Sequence, residues 1–191
     1  ISLSASSDSG LTVTFSTSSS AVCSISGKVV TIIGGGNCVI NANQVGNTTY
    51  AAASQMSQTL VVNKKSQTIT FGSIASATYG DSPITLTASS DSGLTVTFST
   101  SSSTVCSISG TTVTIIGGGN CVINANQAGN SNYSAAAQVT QTLLINPTTQ
   151  TISLTLPDTK TYGDAPFSIT ATSTSGLTVS LTSSPSNICT I

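Results

Sequence analysis

The 191-residue sequence contains no histidine, tryptophan, glutamate or arginine. Its five acids are Asp8, Asp81, Asp91, Asp158 and Asp164, and its four bases are Lys28, Lys64, Lys65 and Lys160. Without histidine, no Ser-His-Asp or Cys-His arrangement can form, and any pair of catalytic carboxylates would have to be aspartates. We therefore expect no enzyme activity and no cofactor. Charged residues make up 5% of the chain, against about 25% in ordinary globular domains. With so few cations there is no basic patch to neutralise phosphates, which excludes nucleic acid as a partner and argues against anionic membrane surfaces. No apolar run approaches the ~18 residues of a membrane-spanning helix, so no membrane insertion is expected in this segment.

What fills the chain instead is Ser, Thr, Gly, Asn, Val and Ile. Apolar residues alternate with Ser and Thr, the period of a half-buried strand. A hydroxyl- and amide-rich surface with little charge offers weak resistance to self-association. Copies of the same protein are therefore the first partner to expect.

The chain is a repeat. Ala5–Thr17 recurs unchanged as Ala88–Thr100, an offset of 83. The same offset carries Cys23 to Cys106 to Cys189, Cys38 to Cys121, Tyr50 to Tyr133, Gln67 to Gln150 and Tyr79 to Tyr162. Between residues 1–66 and 84–149, 17 positions differ and 49 are identical. The third copy has drifted further (Ser99 becomes Thr182, Ser102 becomes Pro185) but keeps the frame. This divides the chain into 1–66, a repeat lacking its first strand; 67–149, a complete repeat; and 150–191, a repeat truncated on its C-terminal side. The incomplete outer copies lead us to expect a chain continuing in both directions, or ends filled by neighbouring molecules.

Within 67–149 the spacing predicts seven strands, at about 67–72, 83–89, 94–100, 104–109, 111–116, 120–127 and 137–146. Turns separate them: Tyr79-Gly-Asp-Ser-Pro83, Ser90-Asp-Ser-Gly93, Ser109-Gly110 and Gly117-Gly-Gly-Asn120. Seven short strands with turns every 8–12 residues predict an Ig-like β-sandwich, so the fold class is all-β, with tandem sandwiches of 83 residues. No helix is expected; Ser134–Ala137 is too short to nucleate one. The linkers Asn63-Lys-Lys-Ser66 and Asn146-Pro-Thr-Thr149 are short and free of glycine, which predicts a stiff string of units.

The cysteines stand at 23, 38, 106, 121 and 189. A tandem repeat should repeat its covalent structure, so the expected pairs are Cys23–Cys38 and Cys106–Cys121, with Cys189 unpaired in this window. Such bonds imply an oxidising, extracellular setting, at the cell surface or secreted. A metal site is not expected, since there is no Cys-x-x-Cys and no histidine. Asp81 and Asp91 read as turn formers rather than acids or bases. A calcium site using Asp81 or Asp158 would need clustered oxygen ligands that the sequence does not display. The run Gly117–Asn120 lacks the Gly-Lys-Ser/Thr ending of a phosphate loop and precedes a strand, so it reads as a flexible or positive-φ turn. Tyr133 reads as a packing residue whose hydroxyl caps a corner. Lys64-Lys65 reads as a solvated linker pair. Sequons occur at Asn47-Thr-Thr49 and Asn132-Tyr-Ser134.

The order Gln67-Thr-Ile-Thr-Phe71, Thr78-Tyr-Gly-Asp81, Ser92-Gly-Leu-Thr-Val96, Val105-Cys106, Gly119-Asn-Cys121 and Gln127-Ala-Gly-Asn130 with Tyr133 resembles bacterial Ig-like repeats of the MBG/YDG type. The resemblance covers the whole chain. It implies sandwich modules in tandem within large secreted or surface proteins, with a spacer, adhesive or filament-forming role and no catalytic residues. The expected function is thus a structural extracellular array forming a rigid rod, surface filament or sheath. The alternative is an adhesin stalk or binding module contacting a glycan or a surface protein, and a third possibility is an accessory domain of a secreted polysaccharide enzyme. A ligand site would concentrate Trp, Tyr or Arg in loops, whereas the copies here differ mainly by small, conservative swaps.

Overall fold

A computed structural model describes residues 1–184 and 188–191, and every regular element in them is a β-strand. The first segment holds β1 (Thr14–Thr17), β2 (Cys23–Ser26), β3 (Val29–Ile32), β4 (Gly36–Asn43) and β5 (Met56–Val62). They form one sheet of order β1-β4-β5 and a hairpin of β2 and β3.

The second segment holds β6 (Ile69–Thr70), β7 (Ala77–Thr78), β8 (Ile84–Thr85), β9 (Ser89–Ser90), β10 (Thr97–Thr100), β11 (Cys106–Ser109), β12 (Thr112–Ile115), β13 (Gly119–Asn126) and β14 (Val139–Asn146). One layer has the order β10-β13-β14-β7 and the other β11-β12-β8, with β6 paired to β9. The strands common to both segments pair in the same register. Cys38 opposes Leu60 as Cys121 opposes Leu143, and Phe15 opposes Ala42 as Phe98 opposes Ala125. The third segment contributes a hairpin of β15 (Ile152–Thr155) and β16 (Thr170–Ser173). Its pairing of Ile152 with Ser173 repeats that of Ile69 with Ser90.

The expected strand at 83–89 is two short strands in different sheets. Ile84–Thr85 pairs with β12, and Ser89–Ser90 pairs with β6. The chain passes from one sheet to another here, a feature that the alternation of side chains does not encode. The pairing of β7 was not anticipated. It runs parallel to the end of β14, with Ala77 opposite Ile145. Only Ala77 and Thr78 precede the Tyr79-Gly80 turn, too few residues for a period to be read.

The core of the second segment lies between its layers. Cys106 and Val113 come from one; Cys121, Ile123, Ala125, Leu143 and Ile145 come from the other, joined by Ile69, Phe71, Ala77, Leu86 and Val96. The Phe71 and Phe98 rings meet at 5.3 Å between centroids and an interplanar angle of 57°, a tilted geometry favoured by the ring quadrupoles. The same positions in the first segment are less enclosed. Its core comprises Cys23, Val30 and Cys38, with Leu3, Val22, Ile25, Ile40, Leu60 and Val62 only half-buried around it. The difference follows from Gln67–Pro83, whose Ile69, Phe71 and Ala77 cover the second core.

Candidate functional site

The structure brings together Cys23 with Cys38, and Cys106 with Cys121, as disulfides with a Cα–Cα distance of 5.8 Å in each. All four are fully buried. Each bond joins the two layers: Cys106 begins β11 and Cys121 lies in β13, on opposite sides of the core. A threonine hydroxyl accompanies each bond, with Thr17 Oγ1 3.4 Å from Cys23 Sγ and Thr100 Oγ1 3.4 Å from Cys106 Sγ. The same hydroxyls donate to the Val39 and Val122 carbonyls at 2.7 Å. Cys189 is free and exposed.

The aspartates clamp backbone. Asp91 Oδ1 accepts from the Thr68 N–H and its Oδ2 from the Thr68 hydroxyl, both at 2.9 Å. The backbone bond first and the hydroxyl second hold the Asp91 carboxyl below its ordinary pKa, with a smaller contribution from the Lys65 charge. In the third segment Thr174 occupies the equivalent position, and its hydroxyl accepts from the Thr151 N–H at 3.0 Å. Asp81 Oδ2 accepts from the Thr78 N–H at 2.7 Å, and Asp164 Oδ2 from the Thr161 N–H at 2.9 Å. Among the described residues, no group of three or more candidate metal-ligating side chains gathers.

The most specific polar centre is one that sequence reasoning passed over. Gln67 is buried, and every one of its side-chain polar atoms is used. Its amide nitrogen donates to the Ser134 carbonyl at 2.7 Å and to Gln127 Oε1. Its Oε1 accepts from Ser90 Oγ at 2.8 Å and from Ser92 Oγ. Burying an amide without such partners would be costly. The signal was present: a glutamine two residues before Ile69, opening an otherwise apolar alternation and recurring as Gln150. In the third segment Gln150 Oε1 accepts from Ser173 Oγ at 2.7 Å and from Ser175 Oγ.

Gln67 stands just past the linker, where the first two segments touch. Lys65 forms a parallel bridge with Tyr133. The Lys65 N–H donates to the Asn132 carbonyl at 2.8 Å, and the Ser134 N–H donates to the Lys65 carbonyl at 2.9 Å. Lys64 and Lys65 are exposed, as expected of a solvated linker pair, while the Lys65 backbone is bridged to the second segment. Gly35, in the first segment, donates its N–H to the Ser131 carbonyl of the second at 2.9 Å. Of the three glycines at 34–36, only Gly36 has a positive φ, 133°, as does Gly119 at 132°. The expectation of a positive-φ turn therefore holds for one glycine in each run. Tyr133 also departs from expectation. Its backbone closes the loop, accepting from the Asn130 N–H at 3.0 Å and donating to Asn130 Oδ1 at 2.9 Å, and no hydroxyl cap is seen among the described residues.

The described residues are thus all-β, and the first two segments are in direct contact through Gly35, Lys65 and the Ser131–Ser134 loop. No family model matches the chain, and no curated protein matches it. Among solved structures it is similar to Drosophila N-cadherin EC1-4, at 13% identity and a TM-score of 0.36, over 85% of this chain and 50% of that one. It is also similar to domains 4 and 5 of the S-layer protein SbsC, at 12% identity and a TM-score of 0.28, over 70% of each chain. The chain spans about half the length of the N-cadherin structure.

Proposed function

We propose that the protein is a structural extracellular array, a rod, surface filament or sheath built from tandem sandwiches of the MBG/YDG type. The observation that carries this reading is the sameness of the units. Framework bonds recur at an offset of 83 with closely similar lengths: Val39 N–H to Ser19 Oγ and Val122 N–H to Ser102 Oγ, both 3.1 Å; Ser57 Oγ to Asn41 Oδ1 at 2.7 Å and Thr140 Oγ1 to Asn124 Oδ1 at 2.8 Å. A binding or catalytic site needs side chains that set one unit apart, whereas a building block needs units that are interchangeable. The disulfides fit an oxidising compartment. The scarcity of charge fits lateral packing of copies of the same protein.

Electron images of the native material, paired with glycan and surface-protein binding assays of the purified chain, test this reading. The structural function predicts extended rods or ordered fibres and no saturable glycan or protein binding. Saturable binding that maps to the loops of one unit would replace it with the adhesin reading.

A further inference from the structure

The Gly34–Gly35 turn and its counterpart differ in exposure although their sequences match. Gly34 is buried and Gly35 half-buried, whereas Gly117 is half-buried and Gly118 exposed. What covers the first turn is the Asn130–Ser134 loop of the following sandwich. A Cβ on Gly34 would meet Asn132 Oδ1 at 3.1 Å, and one on Gly35 would meet Lys64 Cγ at 2.5 Å and the Ser131 carbonyl at 2.8 Å. A Cβ on Gly118 would find only ordinary contacts, the nearest Pro147 Cγ at 3.4 Å. Neither Gly35 nor Gly118 has a positive φ, so the local turn does not require glycine there. The close approach of the next unit does require it at Gly35.

The incoming loop is built before it docks. Asn130 Oδ1 accepts from the Asn132 and Tyr133 N–H groups at 2.8 and 2.9 Å, and Asn47 Oδ1 accepts from the Thr49 and Tyr50 N–H groups at the same distances. The Asn47 loop has this shape without resting on a neighbouring turn, so docking requires little ordering. The bond to Gly35 uses a backbone carbonyl, which leaves the contact indifferent to the replacement of Thr48 by Ser131 between copies.

We propose that the paired glycines of this turn, Gly34–Gly35 and Gly117–Gly118, form a socket, and that its partner is the Asn-x-x-Tyr loop of the following sandwich. Lys65, bridged to Tyr133, closes the third side and fixes the angle between units. The proposal rests on the array reading and adds how consecutive units are held.

Hydrogen exchange on the intact 191-residue chain compares two chemically matched amides. The socket predicts that the Gly35 N–H, bonded to Ser131, exchanges at least about fivefold more slowly than the Gly118 N–H, as expected for one net hydrogen bond. Nuclear relaxation of the same sample should give 1–66 and 67–149 one common tumbling time. Gly35→Ala should split that time into two while both disulfide cores stay folded, and Gly72→Ala, where an added Cβ meets open space, should leave it unchanged. Equal exchange at Gly35 and Gly118, with independent tumbling of the two units in the unaltered chain, would overturn the socket. That result would leave a flexibly jointed structural array intact, to be judged by its own images and binding assays.

Discussion

At the residue scale, the polar side chains of this protein serve as fasteners for backbone. Asp91 is the clearest case, because both its oxygens are spent on Thr68. Its folded pKa lies below the ordinary aspartate value, so the clamp contributes stability at pH values above the unfolded pKa. That contribution is lost as pH falls through the lowered folded value. Carboxyl titration by nuclear magnetic resonance should place Asp91 below the ordinary aspartate value, and Thr68→Val, which removes the hydroxyl donor, should move it upward without restoring it fully. The disulfides act on a larger scale of energy. Replacing Cys106 and Cys121 together by alanine should cost the second unit about 2–5 kcal/mol, read as a lowered denaturant midpoint for that unit alone.

At the scale of elements, the long strands were legible because their side chains keep a strict period of two. Cys121, Ile123 and Ala125 alternate with half-buried Val122 and Asn124, and the three predicted to face inward are fully buried. The change of sheet between β8 and β9 and the parallel strand β7 were not legible. Both depend on partners more than 20 residues away, Thr112 and Val113 for β8 and Ile145 for β7. The role of Gln67 was half legible, as a glutamine where an apolar residue would fit. The cause of Gly35 was hidden entirely, because it lies in a loop almost a hundred residues onward. One consequence of the element β6–β7 can be measured. Leu143 is fully buried beneath its segment, whereas the equivalent Leu60 is half-buried. Leu143→Ala should cost about 2–5 kcal/mol. Leu60→Ala should cost clearly less, as resolved by calorimetry of the two transitions. Equal losses would mean that Gln67–Pro83 does not close the core.

At the scale of the whole molecule, the first two segments meet through a direct backbone contact. Lys65 belongs to the linker in sequence and to the next unit in pairing, and Gly35 reaches across to Ser131. Strands of 8 residues, as in β13 and β14, with their turns make a sandwich about 25–35 Å long, and a short linker brings the rise to about 35–45 Å per 83 residues. Every junction built on the same socket should hold the same angle, so the array should be straight or uniformly curved. The most direct measurement is the axial repeat and the angle between successive units in cryo-electron images of the native material. The account predicts a single rise within about 35–45 Å and one narrow distribution of angles. Beads at variable spacing, with angles that change freely from one junction to the next, would contradict it.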